Sequence, residues 1–171
     1  TLGQAFRYAV FQVVSCMTTT GYTTAAFYDW PGMLPPLLLL LGMMGACGGS
    51  TSGGFKSLRA LMLFRQSQRE IKRLIHPNAH VPIRIGGTTL SGRMVDSVWG
   101  FFFLYVVSYI VLGLAMRATT DLDITSAFAA VGTSISNLGP GLGEVGPNFT
   151  SVGDAGKWIC AFAMIAGRLV I

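Results

Sequence analysis

The amino-acid sequence predicts an all-α polytopic membrane protein built from repeated units of outer helix, re-entrant pore helix with filter, and inner helix. Hydrophobic residues make up 51% of the 171 residues and charged residues only 11%, with a mean hydropathy of +0.57. A soluble domain of this size needs a charged surface, and this composition does not supply one. Apolar runs broken by short polar stretches, together with 22 glycines, are typical of helical membrane proteins.

The apolar segments fall into two length classes. Residues 94–116 provide about 20 apolar positions, enough to cross a bilayer as an outer helix. Residues 4–17 and 124–135 are too short to cross. Each short segment leads into a stretch rich in glycine and hydroxyl residues, then a polar loop and a longer apolar segment. This order is typical of a re-entrant pore loop, whose extended backbone is tolerated at membrane depth only where it lines water or is buried in protein.

The two units that contain the short segments resemble each other. Gly21 and Gly139 are 118 positions apart, and the residues before them match in character. The matched pairs are Val13 with Val131, Ser15 with Thr133, Cys16 with Ser134, Met17 with Ile135 and Thr18 with Ser136. A run of small and hydroxyl residues that leads to one glycine and recurs at a fixed distance indicates an internal repeat.

Three regions follow from this order. Residues 1–64 are predicted to be the end of one pore repeat, with pore helix, filter and broken inner helix. Residues 65–93 are predicted to be a cytoplasmic basic segment with a small hairpin, because alternating residues flank the pair Gly86-Gly87. Residues 94–171 are predicted to be the next pore repeat with a truncated inner helix.

The first inner helix is predicted from about residue 31 to 64, with a break at residues 45–54. The second is predicted to begin near Lys157. Because this second apolar run stops in mid-course at Ile171, and the first residue is not methionine, we expect the chain to be a fragment of a longer protein.

Positive charge is concentrated between residues 56 and 93. Eight of the 12 basic residues lie there, namely Lys56, Arg59, Arg65, Arg69, Lys72, Arg73, Arg84 and Arg93. The one acidic residue in this stretch is Glu70. Such an excess of basic residues beside membrane segments predicts a cytoplasmic location and contact with lipid headgroups, and it argues against nucleic-acid binding.

The stretch from Thr18 to Thr23 is predicted to be one wall of an ion filter. A dehydrated potassium ion needs oxygen ligands in place of water, and rings of backbone carbonyls supply them. The backbone must then adopt dihedrals that favour glycine at one position. The sequence Thr-Thr-Gly-Tyr parallels the Thr-Val-Gly-Tyr-Gly filter of potassium channels, although the tetrapeptide by itself also fits a threonine-rich turn.

The matching stretch of the second unit would by itself be taken for a loop with a Gly-Pro-Gly turn. Its place in the repeat predicts a second filter wall, and the C-terminal ends of the pore helices would favour a cation nearby. The predicted filter residues are Thr19, Thr20, Gly21, Tyr22, Asn137, Leu138, Gly139 and Pro140. Those predicted to bind potassium are Thr20, Gly21, Asn137, Leu138 and Gly139.

Four motifs in this order make the chain similar to the Trk/Ktr/HKT potassium-transporter superfamily, and within it to the membrane subunits of bacterial Trk uptake systems. They are Thr-Thr-Gly-Tyr-Thr (19–23), Gly-Gly-Ser-Thr-Ser-Gly-Gly-Phe-Lys (48–56), His-Pro-Asn-Ala (76–79) and Asn-Leu-Gly-Pro-Gly-Leu-Gly (137–143). The resemblance implies potassium uptake through one polypeptide with four pore repeats in the bacterial inner membrane. It also implies a homodimer and a cytoplasmic ring of TrkA-type nucleotide-binding regulatory subunits docked on residues 65–93.

The glycine-rich break allows more than one interpretation. A phosphate-binding loop is disfavoured, because Phe55 stands where glycine and lysine should adjoin and no strand precedes it. Gly45, Gly49 and Gly53 have the spacing of a helix-packing motif. The resemblance implies an intramembrane gating loop, whose residues here are Gly45, Gly48, Gly49, Ser50, Thr51, Ser52 and Gly53.

Arg168 is also predicted to belong to the gate. It follows the apolar run from Trp158 to Gly167, which places it near mid-membrane, where a lone charge is costly and usually functional. The alternative is that its long side chain extends to the membrane surface. The resemblance implies that such an arginine contacts the gate region. The family pattern continues with Leu-Glu, whereas here Leu169 is followed by Val170.

No catalytic set is recognisable, so the chain is predicted not to be an enzyme and to need no cofactor, with potassium as its transported substrate. Cys16, Cys47 and Cys160 have no metal-site spacing and are predicted to be reduced, buried packing residues. Two other hypotheses remain open: a symporter that couples potassium or sodium movement to sodium or protons, and a non-conducting membrane scaffold for a cytoplasmic ring.

Overall fold

The computed structural model of the protein describes residues 2–45, 47–48, 53–76, 82–86 and 88–169. The described residues form six α-helices and one hairpin: α1 (Leu2–Met17), α2 (Leu34–Met44), α3 (Ser57–Ile75), β1 (Arg84–Ile85), β2 (Thr88–Thr89), α4 (Gly92–Thr119), α5 (Ile124–Ile135) and α6 (Asp154–Leu169). Two 3-10 turns lie at Phe27–Asp29 and Gly143–Val145. The predicted all-α architecture is confirmed, and each of the two units has its short helix before its filter stretch.

Helix α4 is the predicted outer helix. Among the described helices it alone is both long and apolar enough to cross a membrane, with 28 residues and a mean hydropathy of 2.1 in its most apolar window. At about 1.5 Å per residue it is longer than a bilayer's hydrocarbon core is thick. Only 11% of that window is buried within the chain, so α4 presents an apolar surface outward, whereas the core helix of a soluble protein would be mostly buried.

Helix α5 lies at the centre of the fold. Nine of its 12 residues are buried, and it packs against both α4 and α6. Its first turn is capped by the Asp123 carboxylate, which accepts a hydrogen bond from the Thr125 backbone N–H at 3.2 Å. Close approach to α4 depends on Gly113, since a Cβ there would lie 2.6 Å from the Phe128 ring. Small residues at such crossings let membrane helices approach closely.

The first inner helix is two separate helices, with its break at the predicted place. Helix α2 starts at Leu34, with Pro35 in its first turn where no N–H is needed, and it ends at Gly45, which has a φ of +68°. The chain resumes as α3 at Ser57 and continues to Ile75, beyond the predicted end at residue 64.

Cys47 in the break is exposed, so the prediction that all three cysteines are buried is wrong for this one. The reason is that the helix has ended before it.

The two ends of the break are held together. The Phe55 N–H donates to the Met43 carbonyl at 2.8 Å, so the chain returns to the last turn of α2. A Cβ on Gly45 would lie 2.5 Å from the Gly53 carbonyl oxygen, and one on Gly54 would lie 2.7 Å from the Met43 carbonyl oxygen. The chain on either side of the break therefore approaches closely, and the contacts of Gly45, Gly53 and Gly54 leave no room for a Cβ at these positions.

Helix α3 leads to the hairpin that precedes α4. Arg84 pairs with Thr89 and Ile85 with Thr88 in an antiparallel register around Gly86, where the alternating sequence predicts a hairpin. The Arg59 guanidinium lies over the Phe101 ring of α4, 4.2 Å from its centroid, and it joins the start of α3 to the outer helix. The domain division at residues 64 and 65 stays a prediction, and α3 passes through it without a break.

Candidate functional site

The two pore helices end in the same way. After α1, the Thr19 N–H donates to the Cys16 carbonyl at 3.1 Å and the Thr20 N–H to the Ser15 carbonyl at 3.0 Å. After α5, the matching bonds run from Asn137 to Ser134 at 3.0 Å and from Leu138 to Thr133 at 2.8 Å. Each pair forms a Schellman motif, which satisfies the last carbonyls of a helix and turns the chain. The structure thus reproduces the repeat at the predicted offset of 118 positions.

The same offset relates the left-handed residues. Thr19 and Asn137 have φ values of +52° and +53°, and Gly21 and Gly139 have φ values of +79° and +104°. The left-handed region is costly for a β-branched residue such as threonine, and glycine adopts it freely. The two stretches share an alternating backbone pattern that turns successive peptide groups to different sides. A plain threonine-rich turn would not predict this pattern at both places.

The filter stretches meet each other at the two glycines. A Cβ on Gly21 would lie 2.4 Å from the Leu138 carbonyl oxygen, and the Cβ position of Gly139 is 4.0 Å from the Gly21 Cα. Both glycines line one open cavity of about 520 Å³. The other lining residues described are Thr23, Thr24, Ala25, Ala26, Tyr28, Pro140, Val145, Gly146, Pro147, Asn148 and Phe149. The two predicted filter stretches therefore border the same open cavity.

Side chains behind the filter fix its backbone. The Ser15 hydroxyl, on α1, donates to the Tyr22 carbonyl at 2.6 Å. In the second unit the Tyr105 hydroxyl of α4 and the Ser136 hydroxyl are 3.0 Å apart in a buried hydrogen bond. The matching Thr133 hydroxyl bonds the carbonyls of its own helix instead, at 3.0 and 3.1 Å. The two walls thus share a backbone path and differ in what supports them.

Replacing Ser15 by alanine is expected to loosen the first wall. The change removes the donor to the Tyr22 carbonyl, and a lost hydrogen bond of this kind costs about 1 kcal/mol. We expect the potassium-to-sodium flux ratio in liposomes to fall several-fold while the protein still folds. Ser97→Ala is the control, because the Ser97 hydroxyl donates to the Arg93 carbonyl of its own helix, α4, at 2.9 Å and lies outside both filter stretches. Equal flux ratios in the two variants would contradict this role of Ser15.

The end of the glycine-rich break lies against the base of both filter stretches. The Gly53 N–H donates to the Thr19 hydroxyl at 3.1 Å. A Cβ on Gly53 would lie 2.0 Å from the Ser136 carbonyl oxygen and 3.3 Å from the Asn137 Cβ. Gly53 therefore touches both pore loops directly beneath the filter. The predicted gate residues Gly49, Ser50, Thr51 and Ser52 lie outside the described residues.

Helix α6 crosses the base of the second filter. Gly167 packs on the last turn of α5, where a Cβ would lie 1.9 Å from the Ile135 carbonyl oxygen. The Asn137 amide donates to the Met164 carbonyl of α6 at 3.3 Å. Arg168 comes one helical turn after Met164, so the two residues share a face. The exposed Arg168 therefore lies one turn beyond the Asn137 contact, on the same side of α6.

The structure brings most of the predicted filter residues together. Gly21, Gly139 and Pro140 line the cavity, and Leu138 is buried against Gly21. The Thr19 and Asn137 side chains are turned to the break and to α6. Thr20 is exposed, with its hydroxyl 2.8 Å from that of Thr18, and the Tyr22 ring is 74% exposed.

Sequence reasoning missed the residues that support the filter from behind. In the sequence, Ser15 and Ser136 serve only to align the repeat, and Tyr105 carries no signal of its own. A hydroxyl six residues before the filter glycine is the sequence signal for Ser15, since it recurs as Thr133. Nothing in the sequence indicated the Tyr105–Ser136 pair, because 31 positions separate its members.

Comparison with known proteins gives a consistent result. The family model TrkH, described as a cation transport protein, matches residues 1–171. The Trk system potassium uptake protein TrkH of Vibrio parahaemolyticus is 50% identical over 167 residues, which cover 98% of this chain and 34% of that protein. TrkH of Escherichia coli K12 is 49% identical over 171 residues, 100% of this chain and 34% of that protein. Escherichia coli TrkG is 38% identical over 167 residues, covering 98% and 34%.

A solved structure agrees with these sequences. The crystal structure of the potassium transporter TrkH from Vibrio parahaemolyticus superposes with a TM-score of 0.92 at 48% identity and covers 100% of this chain and 36% of that one. The chain therefore spans about a third of the length of the relatives that it matches. These relatives are transport proteins and not enzymes, and their likeness over the whole chain confirms the predicted polytopic helical membrane fold.

Proposed function

Because the chain belongs to the TrkH family of cation transport proteins, we propose that it supplies two of the four walls of a gated pore for potassium uptake. The observation that carries this proposal is the pair of glycine-centred stretches with matching left-handed residues that line one cavity. Backbone carbonyls of Thr20, Gly21, Asn137, Leu138 and Gly139 bind the ion as it sheds water. Two further pore repeats complete the ring.

Passive permeation and ion-coupled transport make different demands on this site. A coupled symporter needs a second ion site, commonly with acidic ligands inside the membrane. The described lining of the cavity contains neither aspartate nor glutamate. The described lining of the cavity therefore supports passive, gated permeation over coupled transport. Uptake that depends on a sodium or proton gradient, measured in proteoliposomes with potassium clamped, would favour the symporter.

The experiment that tests the pore uses Thr23, an exposed residue of the cavity. Thr23→Cys, in a cysteine-free background of the protein in its full natural length, is expected to react with a membrane-impermeant thiol reagent from outside. Modification there is expected to block most of the potassium influx into liposomes, because the reagent fills the mouth. Ala130→Cys is the control, since that side chain is fully buried in α5.

Two outcomes would speak against the pore. A scaffold without re-entrant loops predicts that Thr23→Cys stays unlabelled from outside or that labelling leaves flux unchanged. Labelling of Ala130→Cys at the same rate as Thr23→Cys would mean that the reagent reaches unfolded protein. Potassium flux measured before labelling shows whether the protein is folded.

The gate of this pore is the break between α2 and α3 together with Arg168. The contacts of Gly53 beneath both filter stretches support this role, because a loop there can obstruct an ion that leaves the filter. Arg168 adds a positive charge to the same passage and raises the electrostatic barrier to a cation. Gly45 and Gly48 belong to the loop whose base is held at Met43 and Phe55.

The relatives are named as proteins of Trk systems, which supports the proposal that this chain works within a larger assembly. We place the protein in the bacterial inner membrane as a multi-pass protein, with residues 65–93 in the cytoplasm because of their basic charge. A TrkA-type ring of nucleotide-binding regulatory subunits docks on that segment, and two copies form a homodimer. Co-purification of the ring with the wild-type protein, and its loss when residues 65–75 carry reversed charges, tests the docking.

A further inference from the structure

A second cavity lies between α3 and the hairpin, away from the filter. It measures about 180 Å³ and is lined by Arg65, Gln68, Arg69, Lys72, Pro82, Ile83 and Arg84. Three of its cations and Gln68 lie at helical spacings of three and four residues, so they share one face of α3. Arg84 faces them from strand β1. Four cationic side chains from two elements therefore converge on one small space.

The described lining of this cavity carries more positive than negative charge. It contains no acidic residue, and Glu70 is the only acid in the whole sequence between Trp30 and Val95. The Glu70 carboxylate is shared, since its Oε1 accepts from Gln66 at 2.7 Å and forms ion pairs with Arg73 at 3.6 Å and with Arg69 at 3.8 Å. Like charges three and four residues apart on a helix repel each other, so this arrangement calls for an anion.

One nitrogen of the Arg69 guanidinium lacks a hydrogen-bond acceptor, although Arg69 as a whole contacts Glu70 and Gln66. Its Nε is buried and has no hydrogen-bond acceptor among the residues that the structure describes. The Glu70 Oε1 atom is 3.8 Å away, beyond hydrogen-bonding distance, and the Gln66 amide oxygen accepts only from another nitrogen of the guanidinium. A buried donor without an acceptor is costly, and an oxyanion in the cavity would supply one.

The neighbouring elements indicate that this cavity lies close to the membrane surface. The Leu90 N–H donates to the Ile83 carbonyl at 2.9 Å, which ties the hairpin to the start of the membrane-crossing helix α4. On α3 the residues from Leu58 to Phe64 are mostly apolar, and polar residues begin at Arg65. Leu61, one turn before Arg65 on the same face, is exposed. A phosphate at the cations would therefore have an apolar surface beside it on the membrane side.

We propose that this cavity binds the phosphate group of an anionic phospholipid, with the acyl chains lying along Leu61 and the start of α3. This cavity is separate from the filter. The proposal depends on α4 crossing a membrane and does not depend on ion conduction. Its small volume suits one headgroup phosphate, which is why we favour a lipid over an acidic segment of a partner protein. Guanidinium groups donate paired hydrogen bonds to phosphate oxygens, and lysine adds a point charge.

The test compares lipid retention by the full-length protein and by two variants. Native mass spectrometry of the protein in detergent counts phosphatidylglycerol molecules that remain bound, with phosphatidylcholine as the uncharged reference. The double variant Arg65→Gln, Arg69→Gln is expected to bind phosphatidylglycerol about 25-fold more weakly, at about five-fold for each cation removed. The control is Arg73→Gln, which removes the same charge from the same helix outside the cavity and is expected to retain the lipid.

Each other outcome overturns the proposal. Equal losses in the double variant and in Arg73→Gln would mean diffuse charge attraction and no built site. Displacement of the lipid by inorganic phosphate at the same concentration would assign the cavity to a soluble phosphate compound. Unchanged lipid retention, with weaker binding of the regulatory ring, would assign it to a partner protein. If the double variant does not fold, Arg84→Gln on the exposed hairpin makes the same comparison, and full lipid retention there would count against the site.

Discussion

Serine in place of Gly21 is expected to abolish most of the discrimination between potassium and sodium. The added Cβ would lie 2.4 Å from the Leu138 carbonyl oxygen, which is itself a proposed ligand, so that carbonyl has to move. Serine must also adopt a φ of +79°, and the left-handed region costs a non-glycine residue about 1–2 kcal/mol. If the free energy of potassium binding is weakened by this amount, the potassium-to-sodium flux ratio in proteoliposomes changes about ten-fold.

Gly139→Ser is the matched variant for this experiment. Gly139 has the same role in the second wall and a φ of +104°, but its Cβ would meet only the Gly21 Cα, at 4.0 Å. Backbone strain is therefore common to both variants, and the collision with a carbonyl is specific to Gly21. We expect the Gly139 variant to be the milder one. An unchanged flux ratio in Gly21→Ser, with normal expression and thermal stability, would remove Thr18–Thr23 from the filter.

Alanine in place of Gly53 is expected to raise potassium flux in the resting state. Its Cβ would lie 2.0 Å from the Ser136 carbonyl oxygen and 2.8 Å from the carbonyl carbon, and backbone atoms at that distance leave no room. The loop has to withdraw from the filter base, and the bond from the Gly53 N–H to the Thr19 hydroxyl is then lost. If the loop obstructs the passage, basal potassium influx into proteoliposomes rises several-fold. Shortening residues 48–53 is expected to have the same effect.

Gly48→Ala provides the control for the Gly53 variant within the same loop. Its Cβ would approach only the Leu58 side chain, at 3.0 Å from the Leu58 Cβ and 3.1 Å from a terminal methyl group. The neighbour is a side chain that can adjust, so a smaller change in basal flux is expected. Equal flux from the Gly53 variant and the wild type, at equal protein in the membrane, would show that the loop is not an obstacle to ions.

Local chemistry explains why the sequence predicts the two pore loops so closely. A short apolar helix, a run of hydroxyl residues and one glycine specify a helix, its Schellman end and a left-handed turn within about eight residues. The ends of α1 and α5 at Met17 and Ile135 are accordingly where the pattern places them. The repeat adds independent support, because a shift of one residue in either unit would separate Gly21 from Gly139.

Long-range contacts explain what the sequence does not predict. Thr19 in the left-handed region contradicts the preference of a β-branched residue, and its hydroxyl finds the Gly53 N–H, 34 positions away. Polar residues after Phe64 suggest a separate basic helix in the cytoplasmic segment, but they are good helix formers and α3 continues through them to Ile75. Exposure of Cys47 follows from the end of α2 at Gly45, which composition alone does not locate.

The bond between the Phe55 N–H and the Met43 carbonyl closes the loop between α2 and α3 into a short ring. Because the two helix ends are fixed to each other, the separation of α2 and α3 does not depend on the length of the chain between them. The entropy of closing a flexible loop grows only slowly, by about 0.6 kcal/mol for each doubling of its length. Insertions and deletions in this segment are therefore thermodynamically cheap. The length of this segment can change while the helices on either side keep their places.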